Sequence, residues 1–431
     1  MVYLSDVHDN PTRASNVVPQ TVIGGAATLI VVGTSAGLVG GGAPGQGASG
    51  AAGSCLAQAG PAIAMTAVQR RRFDNTNLAE STKVDASTAQ FLTPGNIAIF
   101  IGGGPSICFH GGQIIGQLPP STPYKKMHDT YGMVVHGASF KLEDLWVFDY
   151  GDGVSMDANG DATWSVRDVH FKYMRDDCVE NDFVNSGTIE NSLFDGCYEG
   201  FSARPYTKPT QDGSNNLVVV RNSLFRLQDM DQGYLRPGHG GFFKWHPTAP
   251  MISLYNNVYR ADSPNIENDV LVPPPAKLKD CVDNVMIWLG PGPFPEALPR
   301  RPGCFKLLTG AAGRQYWDSA VAQWKAQHPS ALKDIASPII SMWSPPGSTT
   351  LSGTVILTAT AVDDQDVAGV QFKLSDRNIG PEATTEAPIT KFTLSWDSRG
   401  VPNGAYTLTA TARDAAGNTT TSAGILVTIS N

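Results

Sequence analysis

The stretch Val218-Val219-Val220-Arg221-Asn222-Ser223-Leu224-Phe225 reads as a β-strand, a polar corner and the start of a second strand. Its corner is one copy of a phrase in which an Asp or Asn precedes a bulky apolar residue by three positions. The phrase recurs as Asp144-Val147, Asp168-Phe171, Asn191-Phe194, Asn222-Phe225, Asn256-Tyr259 and, more weakly, Asn284-Ile287. Successive copies lie 24, 23, 31, 34 and 28 residues apart. That spacing is too irregular for stacked helical hairpins and natural for β-coils whose loops vary in length. Equivalent residues of successive coils would then sit one strand spacing apart, about 4.8 Å. Polar side chains at one corner would form a hydrogen-bonded ladder while the apolar column fills the core. The expected architecture is therefore all-β, with a parallel β-helix at its centre.

A chain of 431 residues has room for two or three domains and an ample core. Its net charge of -8 and pI near 5.5 argue against a duplex nucleic-acid binder, which needs a clustered basic excess. With 45 glycines, 30 prolines and only 16% charged residues, the balance is that of a turn-rich extracellular β protein. The cysteines Cys55, Cys108, Cys178, Cys197, Cys281 and Cys304 contain no C-x-x-C pair, which removes zinc-ribbon and thioredoxin readings. Cys281 with Cys304, and Cys178 with Cys197, are placed to form disulfides, although buried free thiols are an equal alternative. Between Arg13 and Arg70 no residue is charged or His, and Thr28-Leu29-Ile30-Val31-Val32 opens a Gly/Ala-rich run. Residues 1–70 are read as a low-complexity leader, either a secretory signal or a disordered segment. Gly-rich breaks argue against a membrane-spanning helix.

Ordered structure is expected from about Ile97-Ala98-Ile99-Phe100-Ile101, within a β-helix domain spanning 71–336. One face of it is marked by Gly153-Val154, Cys178-Val179, Gly200-Phe201 and Gly241-Phe242, each a small residue followed by an apolar one. Trp317, Ala320, Val321 and Trp324 fall at helical spacing and suggest a cap or bracket over the last coil. A linker at 337–349 contains Ser344-Pro345-Pro346-Gly347. Residues 350–431 then alternate with period two between turn-forming separators, as in Tyr406-Thr407-Leu408-Thr409-Ala410-Thr411-Ala412. From Ser352-Gly353-Thr354-Val355 through Val401-Pro402-Asn403-Gly404 to Ala412-Arg413-Asp414-Ala415-Ala416-Gly417-Asn418, this region resembles bacterial immunoglobulin-like domains. The resemblance implies an antiparallel sandwich and is nearly silent on activity.

Immediately before the strands of the aligned face stand Asp152, Asp177 and Glu199, with Asp176 beside Asp177. Stacked coils would bring these acids together, and crowding should raise the pKa of at least one. Such carboxylates suit general acid/base cleavage of a glycosidic bond. Asp152, Asp177 and Glu199 could instead hold a calcium ion; no other cofactor is expected. Asp176-Asp177-Cys178-Val179 resembles the D-D-C-V segment of polygalacturonases, which are right-handed parallel β-helices that degrade pectin. By that resemblance Asp177 would be the general acid, Asp152 and Asp176 would activate water, and His239 of Gly238-His239-Gly240 would support them. The family's N-T-D-G segment is replaced here by Tyr150-Gly151-Asp152-Gly153, an extra coil carries Glu199, and no R-I-K segment follows His239.

A second group, Arg204, Lys208, Arg236, Lys244 and His246, could bind a uronate carboxylate or abstract its α-proton in β-elimination. The alternative is that they are solvated loop charges, with Arg204 pairing across coils to Asp157 or Asp182. Tyr198, Phe243 and Trp245 could stack on sugar rings or belong to the core. No G-x-S-x-G, H-E-x-x-H, phosphate-loop or dinucleotide pattern competes. The sequence thus points to a secreted or cell-surface monomer that hydrolyses an acidic polysaccharide. A polysaccharide lyase and a non-catalytic, glycan-binding adhesin are the alternatives.

Overall fold

The decisive corner is built as its residue types require. In the computed structural model, Asp144, Asp168, Asn191, Asn222 and Asn256 have φ of 57°, 57°, 48°, 52° and 61°. This left-handed conformation is unfavourable for most L-residues and least so for Asn and Asp, whose short polar side chains bond locally. Each corner turns the chain from one strand into the next. Val147, Phe171, Phe194, Phe225 and Tyr259 consequently stand in one register column. Phe194 and Phe225 stack at 4.4 Å between centroids, and Phe225 and Tyr259 at 5.3 Å. The last copy is shifted by one residue from the expected Asn284-Ile287. Asp283 is the left-handed residue, with φ of 53°, and Met286 follows Tyr259 in the column.

Described residues run from 53 to 431, except 94, 117, 119–121, 138, 158–161, 206–210, 231–237, 267–268, 331 and 385–390. All lie within the unit Pro44–Asn431. Twenty-two of their strands form one sheet, 22-stranded, in which each strand pairs in parallel with its counterpart one coil on. This is a parallel β-helix. It begins earlier than expected: Ala62–Gln69 pairs in parallel with Lys83–Phe91, inside the segment read as leader and well before Ile97. The apolar run Thr28–Val32 lies outside the described residues.

Two polar rows hold the corners. Asn191 Nδ2 donates to Asp168 Oδ1 at 2.6 Å, and Asn256 Nδ2 to Asn222 Oδ1 at 3.0 Å. One residue further on, a buried row satisfies backbone donors that the corner leaves without strand partners. Ser192 Oγ accepts from Val169 N, Ser223 Oγ from Ser192 N, Asn257 Oδ1 from Ser223 N and Asn284 Oδ1 from Asn257 N, at 3.0–3.2 Å. All six cysteines are bridged, as Cys55–Cys108, Cys178–Cys197 and Cys281–Cys304. The last two pairs are those expected from the sequence.

The helix Gly310–Gln327 is not a lid over the open end. Trp317 and Trp324 pack on Leu193, Leu224, Val258 and Val285, which are register neighbours on successive coils. At 18 residues, about 27 Å, the helix is long enough to run back along the outside of the solenoid. Trp324 Nε1 donates to Asn191 O at 2.8 Å and fixes its far end.

The chain then enters a two-sheet sandwich. Ile339–Ser344 pairs with Thr354–Val362, so the first sandwich strand lies within the expected linker 337–349. Leu357, Phe372, Phe392 and Leu408 fill the interior. Ala336 and Val362 cover Ile115 and Phe148 of the coils. Gln90 Nε2 donates to Lys333 O at 2.7 Å, and Gln113 donates to Asp364.

Candidate active site

Asp176 and Asp177 lie within the strand His170–Glu180, Asp152 opens the strand Asp152–Met156, and Glu199 lies within Leu193–Ala203. Parallel register places Asp177 opposite Glu199. Asp152 reaches the neighbouring coil through its carboxylate, which accepts from Asp177 N at 2.8 Å. Oxygens of Asp152, Asp176 and Asp177 lie within 4.8 Å of one another. The stacking inferred from the sequence therefore exists, but Asp152, Asp176 and Asp177 are each 0% exposed and Glu199 is 2% exposed.

Lys244 is the counter-charge of this cluster, its Nζ 3.0 Å from Asp177 Oδ2. It reaches the acids because Phe243, rather than the expected Phe242, continues the column of Phe201. That register sets Lys244 in line with Ser202 and Glu180. Burial alone would lower the Lys244 pKa, yet Asp177, Asp176, Glu199 and Asp182 hold it well above its usual value. An ammonium therefore sits where a calcium ion would have to supply charge. The set Asp152, Asp177 and Glu199 does not fit that ion, and Glu199 is not among the acids whose oxygens converge.

The acids are driven apart in proton affinity. Burial, then repulsion from Glu180, Asp176 and Asp177, pushes Asp152 well up, and one of its oxygens is buried with no hydrogen-bond partner. Burial, opposed by Lys244 and reinforced by Asp176 and Asp182, pushes Asp177 up to about 7. For Asp176 burial acts upward too, but Lys244 and hydrogen bonds from His128 and Tyr124 outweigh it and the net shift is downward. His128 Nδ1 lies 2.6 Å from one oxygen of Asp176, and Tyr124 donates to the other at 3.1 Å. The hydrogen bond to Asp176 pushes His128 up to about 9. Burial raises Glu199 strongly, and one of its oxygens accepts from Gly241 N at 3.0 Å.

The remaining sequence candidates are placed differently. The His239 imidazole bonds to Gly240 O at 2.6 Å, and the acids acting on it are Asp229 and Asp262, so it does not support the cluster. In Gly238-His239-Gly240 the residue that meets the acids is Gly240, where a Cβ would stand 1.9 Å from Glu199 Oε1. Arg204 pairs with Asp269 through its guanidinium, while its backbone N–H donates to Asp182 at 2.9 Å. Trp245 packs edge-on against Phe201 and donates to Pro250 O at 3.0 Å. Phe243 and Tyr198 are buried, so none of the three aromatics forms an open platform. His246 is exposed and bonds to Thr248. Arg236 and Lys208 lie outside the described residues.

Residues 338–410 match the bacterial Ig domain family. No curated protein matches the chain. Solved structures similar to it include the Clostridium thermocellum CbhA fibronectin(III)-like modules, at 26% identity over 21% of this chain and 93% of that one, with TM-score 0.18. Another is the endo-β-1,4-mannanase from Thermotoga petrophila, at 16% identity over 35% of this chain and 32% of that one, with TM-score 0.20. The Ig domain meets the coils through Gln113 and Lys172, and the segment leading into it through Gln90; none of the three belongs to the carboxylate cluster. Among the described residues no helix is long and apolar enough to cross a membrane.

Sequence reading missed Tyr124, His128 and Glu180. Glu180 ends the strand His170–Glu180 on the same alternation as Cys178 and Asp176, a signal that could have been used. Tyr124 and His128 come from the short helix Tyr124–Met127 and the residue after it, 48 or more positions from Asp176. Nothing local in the sequence links them to the acids.

Proposed function

We propose that this is a secreted carbohydrate-active protein that hydrolyses an acidic polysaccharide, with Asp177 as general acid and Asp176 as the base that activates water. The observation that carries the reading is the opposite tuning of two adjacent carboxyls, Asp177 up to about 7 and Asp176 below its usual range. In this scheme Asp177 gives its proton to the glycosidic oxygen as the C–O bond breaks. Asp176 takes a proton from the water that forms the new C–O bond. His128 and Tyr124 keep Asp176 ionised between turnovers, and Lys244 steadies both carboxyls. β-Elimination is less favoured, because Lys244 is held protonated and Arg204 is paired. Pairing of all six cysteines fits an oxidising compartment. Arg204 is half-exposed but paired with Asp269, so binding a uronate there would mean exchanging that partner.

Complete burial of the acids favours a second reading, a non-catalytic surface protein that binds glycans and in which the cluster is a structural charge knot. Assaying reducing ends and unsaturated products on pectic, alginate and glucuronan polymers separates the two. Hydrolysis gives reducing ends without ultraviolet-absorbing products. Asp176→Asn and Asp177→Asn should each lower kcat by about 10²–10⁴-fold while leaving the far-ultraviolet spectrum unchanged. Full activity in either variant removes the assignment. Glycan binding without turnover supports the second reading.

A further inference from the structure

A second group of acids lies where the solenoid hands over to the Ig domain. Asp334 belongs to the segment between the helix Gly310–Gln327 and the first Ig strand, Asp363 directly follows Thr354–Val362, and Asp414 ends Gly404–Asp414. Three separate segments thus each contribute one carboxylate, and their oxygens lie within 4.8 Å of one another. We propose that Asp334, Asp363 and Asp414 form a calcium site that fastens the solenoid's exit segment to the Ig domain.

Two observations beyond the clustering of acids point to a cation. Asp363 is 1% exposed and its Oδ1 has no hydrogen-bond partner, and the same holds for Oδ1 of the adjacent Asp364, 3% exposed. A buried carboxylate oxygen without a donor is costly unless a positive charge satisfies it. The nearby ammonium groups do not. Lys172 is directed to the backbone carbonyls of Asp364 and Gln365 and lies 3.7 Å from Asp366, and Lys325 lies 3.5 Å from Asp366. Among the described residues no ion pair reaches Asp334, Asp363 or Asp414. This is the reverse of the Asp177 cluster, where Lys244 supplies the charge.

The remaining hydrogen bonds preorganise the acids. Asp363 Oδ2 accepts from Gln365 N at 3.1 Å and Asp334 Oδ1 from Ala336 N at 3.2 Å. Asp414 accepts from Gly417 N, Asn418 N and Asn418 Nδ2 at 2.6–2.8 Å. An all-oxygen set without His or Cys selects a hard cation, and three carboxylates from three separate segments suit calcium, which takes many oxygens in flexible geometry, better than magnesium, which usually binds only one or two. Asp334, only half-buried, leaves a side open to water.

The test uses the full chain, stripped with a chelator and titrated with calcium chloride by calorimetry and thermal melting. One saturable site that raises Tm is expected. Asp334→Asn and Asp363→Asn should each weaken binding by about tenfold or more. Neither should lower Tm without calcium, since each removes a repelling charge. Asp152→Asn should leave calcium binding as in the parent chain. The proposal is overturned if the parent chain shows no saturable calcium binding, if Asp334→Asn and Asp363→Asn bind like the parent, or if Asp152→Asn abolishes binding.

Discussion

At the residue scale, the cluster around Lys244 ties proton affinity to stability. Asp177 rises from 3.8 to about 7 in the folded chain, so the folded state retains a proton that the unfolded chain releases in that interval. Stability therefore falls as pH climbs from about 4 to about 7. His128 rises from 6.5 to about 9, which stabilises the fold fully below 6.5 and is lost as pH passes through 9. Urea midpoints measured in pH steps should decline across both intervals. Asp177→Asn should make the lower decline shallower and His128→Ala the upper, with Asp334, raised to about 6, and Asp363, raised to about 8, sustaining part of each. Unchanged slopes in both variants would mean that these two groups do not govern the cluster. At this scale the sequence was informative where position in a repeat defines a neighbour, as for Asp152, Asp177 and Glu199. It was uninformative for Tyr124 and His128, whose approach to Asp176 depends on how a loop between coils folds back.

At the element scale, the Asp/Asn corner sets the coil. Asn222 adopts φ of 52° and accepts the ladder hydrogen bond from Asn256. A β-branched residue meets a steric penalty in that conformation, whereas glycine does not. Asn222→Val should cost roughly 1–3 kcal/mol in chemical unfolding and Asn222→Gly no more than about 1. Equal effects of the two would locate the corner's role in the ladder rather than in the backbone. The same corner explains the one-residue slip at Asn284. Asp283 and Asn284 are both of the right type, and only the strand pairing shows which is left-handed and which belongs to the buried row. Helical spacing of Trp317 and Trp324 was legible too, but not the surface they meet. The groove formed by Leu193, Leu224, Val258 and Val285 exists only once the coils are stacked.

At the scale of the whole molecule, the Ig domain covers an apolar patch of the solenoid rather than trailing from it. Ile115 and Phe148 are buried beneath Ala336 and Val362. A chain ending after Ser337 should bind an apolar dye more strongly and melt at a lower temperature than the full chain. Identical melting of its solenoid would show that the domains fold independently. By itself the sequence determined the fold class, the sandwich and most of the coil register, because periodic apolar residues and corner residues act locally and repeat. Tertiary structure decided that Lys244 neutralises the acids, that His239 faces elsewhere, that the terminal helix runs along the solenoid, and that the Ig domain docks on it. Each of these depends on distances between segments far apart in the chain, and no local pattern of residue types encodes such distances.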